Sequence, residues 1–188
     1  MINQAHDVLS TARQTRPGLV LLCASGLFTL AAVVAGFAGG LRLNTTPSEP
    51  LGLWRIVRLD RPVERGDILF ICPPISADMQ EARSRGYLRF GLCEGGNAPL
   101  IKTVAALPDQ VVEIGEVVRI DGEVLAHSRL SSTDGKRRRL NPYAGGKVGA
   151  DQVYLHSDFP GSFDSRYFGP LPINNILGLA KELITYAP

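Results

Sequence analysis

Lys102 stands in the run PLIKTVAAL, where Thr103 is the only other residue between Leu100 and Ala106 that is not apolar. Alternate residues of an extended strand share a face, so Lys102 is grouped with Leu100, Val104 and Ala106. An ammonium on such a face loses its water, and desolvation favours the neutral amine. A neutral amine is a base: it can take the proton of a hydroxyl and leave a nucleophilic oxygen. Lowering the pKa from ~10.4 by three to four pH units costs about 4 to 5 kcal/mol, which folding does not require. The bland alternatives are a lysine snorkelling from an edge strand or one paired with an acid.

A hydroxyl to match is offered by Ser48, between Pro47 and Pro50 in LNTTPSEPLG. The fixed φ of the prolines and the extended bias they impose on Thr46 and Glu49 stiffen this backbone. Taken alone, a serine among prolines is an ordinary turn. The histidines compete as bases: His6 precedes the uncharged apolar segment at 18–38, and His127 and His156 read as loop or strand-end residues. The chain has no G-x-S-x-G elbow, H-E-x-x-H pair, Walker loop or G-x-G-x-x-G turn.

These residues must be positioned by the elements around them. Residues 18–38 carry no charge, and as a helix rising ~1.5 Å per residue they cover the ~30 Å of a bilayer core. We read them as an uncleaved anchor, against a cleaved signal peptide or a buried helix. Arg13 and Arg16 before it and Arg42, Arg55 and Arg58 after it leave the positive-inside count undecided. A tail of residues 1–17, too short to fold, is placed inside, and a domain of residues 39–188 outside. The ten residues from Ala38 to Ser48 reach at most ~34 Å, which keeps the hydroxyl near the outer face.

Beyond the anchor come LWRIVRL, DILFIC, PLIKTVAAL, QVVEIGEVVRI, QVYLH and ILGLAKELITY, punctuated by Gly and Pro. These short β-branched runs predict strands and a mostly β domain. Asp121-Gly122 predicts a two-residue hairpin. SADMQEARSRGYL predicts a short helix capped by Ser76 or Asp78 and ended by Gly86. The stretch from Ser128 to Gly149 reads as solvated loop, with contact of Lys136, Arg137, Arg138 and Arg139 with anionic lipid as the functional alternative.

The 188 residues, 45% of them apolar, suffice for one domain with a core, and a scattered net charge of +2 argues against nucleic acid as a partner. Cys72 and Cys93 lie beyond the anchor and Cys23 within it. A Cys72–Cys93 bridge would close a loop worth about 3 kcal/mol; two free buried thiols are the alternative. Their spacing fits no zinc pattern, and no metal or organic cofactor is expected.

PSEPLGLW, LIKTVAALPDQVVEI and SFDSRYFGPL, in this order behind an N-terminal anchor, resemble the nucleophile, lysine and D-S-R boxes of type I signal peptidases. The S-x-P-x-G form from Ser48 to Gly52 is similar to the branch of that family that serves conjugative transfer. The resemblance implies a signal-peptidase-like β fold with Ser48 as nucleophile and Lys102 as base. It also implies that Ser162 orients the amine, that Asp164 and Arg166 brace the site, and that the Ser48 N–H and Thr46 hydroxyl hold an oxyanion. Pro108-Asp109-Gln110 departs from the usual P-G-D, and His156-Ser157-Asp158 from G-D-N.

By the same resemblance the substrate is a membrane-inserted pilin precursor, cleaved by water or closed head to tail by its own amino terminus. The setting implied is a bacterial inner membrane, crossed once, with the catalytic domain in the periplasm. Two alternatives stand beside this: a general signal peptidase acting on exported preproteins, and a non-catalytic anchored scaffold.

Overall fold

The computed structural model describes residues 3–187, with side chains from residue 17 onward. It divides into two compact units, residues 1–41 and 42–188. The first is dominated by helix α1 (Asn3–Ala38). Its segment Pro17–Ala38 is long and apolar enough to cross a membrane. Leu19, Leu22, Phe28 and Val33 are each more than half exposed along it. The helix begins at Asn3, well before the expected span at 18–38. Pro17 lies inside this helix, at the start of the apolar segment, where it supplies no backbone donor.

The strands, which apart from Leu41 belong to the second unit, are β1 (Leu41–Asn44), β2 (Leu51–Val57), β3 (Ile68–Ile71), β4 (Leu100–Ala106), β5 (Val111–Ile114), β6 (Val118–Ile120), β7 (Glu123–Val124), β8 (Gly146–Lys147), β9 (Gln152–His156), β10 (Leu171–Pro172) and β11 (Ile176–Tyr186). Helices α2 (Ala77–Ser84) and α3 (Ser165–Phe168) are short. Seven strands form one sheet in the order β1-β2-β11-β3-β4-β9-β10, and four form another in the order β7-β6-β5-β8. The mostly β expectation therefore holds. All six predicted runs are strands, QVVEIGEVVRI forming the hairpin β5-β6.

The local signals act as their chemistry dictates. Asp121 and Gly122 take φ of 50° and 84° in the turn that pairs Ile120 with Glu123. Ser76, rather than Asp78, caps α2, accepting from the Met79 N–H at 3.2 Å. Asp109, standing where the family pattern has glycine, takes φ 70°, a left-handed conformation that aspartate tolerates better than most residues. Cys72 and Cys93 are joined by a disulfide. Between Ser128 and Gly149 the chain is mostly loop, and Arg138 is committed to Asp134 at 2.6 Å.

Three apolar clusters make the core, and β4 contributes to each. Val104 packs with Leu69, Ile71, Val153 and Leu155; Ala105 and Ala106 pack with Val112, Val118 and Tyr154; Ile101 packs with Trp54 and Phe70. A strand flanked on both edges and buried on both faces is the most enclosed place this fold offers. A bulge between Val104 and Ala106 breaks the alternation. Ala106 therefore joins Ala105 in the second cluster instead of sharing the Lys102 face as strict period two predicts.

Candidate active site

Ser48 occupies the turn between β1 and β2, and Asn44 builds that turn. The Asn44 Nδ2 donates to the carbonyls of Thr46, Glu49 and Pro50 at 3.0, 2.9 and 3.0 Å. Its Oδ1 accepts from the N–H and hydroxyl of Thr46 at 3.1 and 2.8 Å. Five bonds from one buried amide hold the loop that the prolines stiffen. Trp54 Nε1 donates to the Pro50 carbonyl at 2.9 Å, and Ser157 Oγ donates to the Ser48 carbonyl. Gly52 closes the turn with φ 131°, where a Cβ would stand 2.2 Å from the Ile184 carbonyl oxygen. Only glycine admits that approach of β11.

Lys102 lies mid-strand in β4, opposite Leu69 of β3, and is 3% exposed. Burial pulls its amine down from 10.5 to about 8. The Asp164 and Glu49 carboxylates oppose that pull, and Arg166 adds to it. The drop is smaller than an all-apolar face implies, because acids from distant parts of the chain surround the strand. A cleft of about 540 Å³ is lined by both Ser48 and Lys102, together with Thr46, Phe70, Phe90 and Leu100.

Asp164 caps α3 and accepts from the Arg166 N–H at 3.2 Å. The two side chains are fully buried and bidentate, with Nε to Oδ1 and Nη2 to Oδ2 both at 2.8 Å. Such a fork is the strong, directional form of an ion pair. Arg166 also donates to the carbonyls of Arg129 at 3.1 Å, Ser162 at 3.3 Å and Phe159 at 3.4 Å. Asp164 Oδ2 accepts from the Ser157 N–H at 3.2 Å. The pair thus clamps the loop after β9, and the hydroxyl of Ser162 in that loop stands 3.3 Å from the hydroxyl of Ser48.

The sequence-derived residues fall into one neighbourhood. Thr46, Ser48 and Lys102 line one cleft, Ser162 touches Ser48, and Asp164 with Arg166 holds the loop that carries Ser162. The Thr46 hydroxyl donates to Asn44 in this state, so serving an oxyanion requires it to turn. His127 is an exposed turn residue, and His6 falls among residues whose side chains are not described.

His156 ends β9 as expected, yet it is 3% exposed and lines a second cleft with Ser48 and Glu49. Asn44, Ser157 and Glu49 are site residues that the sequence patterns do not single out. For Asn44 a signal exists: an Asn two residues before Thr46, leading into a proline turn, is the pattern of an Asx turn.

The chain is similar to known proteins over most of its length. The sequence is 52% identical over 182 residues to the "Probable conjugal transfer protein TraF" of Sinorhizobium fredii, covering 97% of each chain. It is 54% identical over 173 residues to the "Conjugal transfer protein TraF" of Agrobacterium tumefaciens, covering 92% of this chain and 98% of that one. A "Plasmid transfer protein TraF" of Escherichia coli is 36% identical over 166 residues, covering 86% and 92%. The crystal structure of a signal peptidase I from Enterococcus faecalis overlaps 63% of this chain and 97% of that one, at 18% identity and a TM-score of 0.39. The family profile described as "Signal peptidase, peptidase S26" matches residues 14–185. With that match across nearly its whole length, the chain belongs to the signal peptidase family and stands among the relatives named for conjugal transfer.

Proposed function

We propose that the protein is a membrane-anchored serine endopeptidase that matures a pilin precursor for conjugative transfer, using Ser48 as nucleophile and Lys102 as base. The observation that carries this reading is the Lys102 amine, buried, drawn down to about 8, and lining one cleft with Ser48. The substrate lies extended against the site and adds a strand by main-chain hydrogen bonds. α1 anchors the protein in the inner membrane, with the second unit in the periplasm facing a membrane-inserted substrate.

Ser48 Oγ attacks the scissile carbonyl carbon while neutral Lys102 takes the hydroxyl proton. The oxyanion is met by the Ser48 N–H and, once turned from Asn44, the Thr46 hydroxyl. Collapse of the tetrahedral adduct breaks the C–N bond, and the leaving amine receives the proton from Lys102. Water, or the substrate's own amino terminus, then resolves the acyl ester. The hydroxyl of Ser162, which the resemblance assigns to orienting the lysine amine, stands against that of Ser48 and holds it in line, and Asp164 with Arg166 holds Ser162.

The direct test is Ser48→Ala in the full chain. Maturation of the precursor stops in a conjugating cell carrying this variant, whereas a scaffold would support it unchanged. A product lighter than the linear peptide by one water identifies cyclisation by mass spectrometry. A broad-spectrum signal peptidase is distinguished by rescue of a host depleted of its own enzyme.

The pH profile is set by the lysine. Its conjugate acid is inactive as a base, so kcat/KM rises with pH through about 8 and levels above it. A profile flat from pH 6 to pH 9 contradicts Lys102 as base. Asn44→Ala leaves three turn carbonyls without their shared donor. It lowers kcat by about 10²-fold through misplacement of Ser48, an effect read in steady-state kinetics. Unchanged kcat would mean that the prolines alone fix the turn.

A further inference from the structure

The second cleft at Ser48, about 480 Å³ in volume, plays no part in that mechanism. Glu49, Thr103, His156, Asp158 and Arg65 line it. We infer that this cleft is a subsite for a cationic nitrogen group of the substrate, a lysine side chain or a free amino terminus, recognised by Glu49 and Asp158 beside the bond that is cut. Its register to that bond rests on Ser48 being the nucleophile, as proposed above.

Four observations support the inference. Glu49 directly succeeds Ser48, so a group bound by its carboxylate lies within a residue or two of the reacting carbonyl. The Glu49 Oε1 accepts a bond of 3.2 Å from the Thr103 hydroxyl. Asp158 projects from the loop across the cleft and is largely exposed. His156 lies between Asp158 and Asp164, 3% exposed, with neither ring nitrogen hydrogen-bonded among the described residues. Its Nε2 is 3.6 Å from Asp158 Oδ1 and its Nδ1 is 3.6 Å from Asp164 Oδ2. A buried imidazole left in this condition is costly, and a polar group entering the cleft relieves it.

The balance of charge selects the sign of the ligand. Arg65 is exposed at the rim, Arg166 is engaged with Asp164, and Lys102 is needed neutral. Burial pushes the Glu49 carboxyl up to about 7, the attraction of Lys102 and the Thr103 bond working against it while Asp158 and Glu182 push the same way. Burial is the larger influence on that carboxylate, and an arriving ammonium offsets it. An anion would be repelled by Glu49 and Asp158, with the exposed Arg65 at the rim to oppose them.

The experiment measures binding, using the full chain in detergent with Ser48→Ala so that no turnover intervenes. The probes are short, fluorescently labelled, alanine-rich peptides with acetylated amino termini, a single lysine being moved across the central positions. A lysine-free acetylated parent and the same parent with a free amino terminus complete the set. At pH 8 at least one lysine position, or the free terminus, binds about tenfold tighter than the acetylated parent. Adding Glu49→Gln abolishes the difference, and Asp158→Asn, at an exposed position where folding is not at stake, reduces it.

A lysine that binds tightly assigns the subsite to a side chain, and a tight free terminus assigns it to a terminal amine. Equal binding by all probes overturns the inference, as does a preference that survives both substitutions. Because nothing is cleaved in this assay, failure of the peptidase reading shows separately, as a wild-type protein that leaves the precursor uncut.

Discussion

Replacing Lys102 with methionine removes activity and raises stability together. The expected loss is about 10²- to 10⁴-fold in kcat, the range that a general base contributes. The gain arises because the fold now bears a buried amine whose pKa falls from 10.5 to about 8, a penalty of about 3 kcal/mol at 1.36 kcal/mol per pH unit. Below pH 8 the amine is protonated in both folded and unfolded chains, and the whole penalty applies. Between pH 8 and 10.5 the folded amine is already neutral while the unfolded one still holds its proton, so the penalty fades as pH rises. Urea unfolding of Lys102→Met at pH 7 therefore shows a higher midpoint than wild type, and the two converge near pH 10.5. A variant that is inactive but less stable would mean that the amine makes structural bonds worth more than its desolvation.

Arg166→Ala has the largest expected effect on folding, a loss of about 3–5 kcal/mol. Both members of the pair are fully buried, so truncation strands the Asp164 carboxylate with the Ser157 N–H as its remaining backbone partner outside α3. In the intact protein burial pushes Asp164 up, but the nearby His156, the Arg166 fork and the charge of Lys102 outweigh it and hold the carboxyl below its ordinary range. A depressed carboxyl gives stability that is present above the unfolded pKa and is lost as pH falls through the folded one. Without Arg166, burial dominates, and acid unfolding begins at higher pH. Asp164→Asn in the same chain recovers part of the loss by removing the stranded charge. Equal stability of Arg166→Ala and wild type would contradict the buried fork.

Much of this arrangement is local and therefore legible in sequence. The β-branched runs, the Asp121-Gly122 turn and the Ser76 cap each reflect the conformations their residues prefer. β1, β8 and β10 are not legible in the same way, because strands of two to four residues gain their stability from partners far along the chain. The alternation that groups Lys102 with Leu100 holds as far as Val104, and the bulge that then displaces Ala106 has no signature in residue type. The surroundings of the amine are less legible: Glu49 comes from the turn before β2 and the Asp164–Arg166 pair from the start of α3, and only the fold sets their charges against the Lys102 amine. Ser162 reaches Ser48 across 114 positions of chain; the D-S-R box marks the Asp164–Arg166 pair that clamps its loop, but not the backbone carbonyls that Arg166 holds.

The position of β4 also governs motion. Its residues belong to all three apolar clusters, so no small fluctuation lifts it out alone. Amide protons of Ile101 through Val104 exchange with deuterium only when the whole domain opens, and their protection reports global stability. A lysine on such a strand meets water from the cleft side or not at all, and its dryness lasts as long as the native state does.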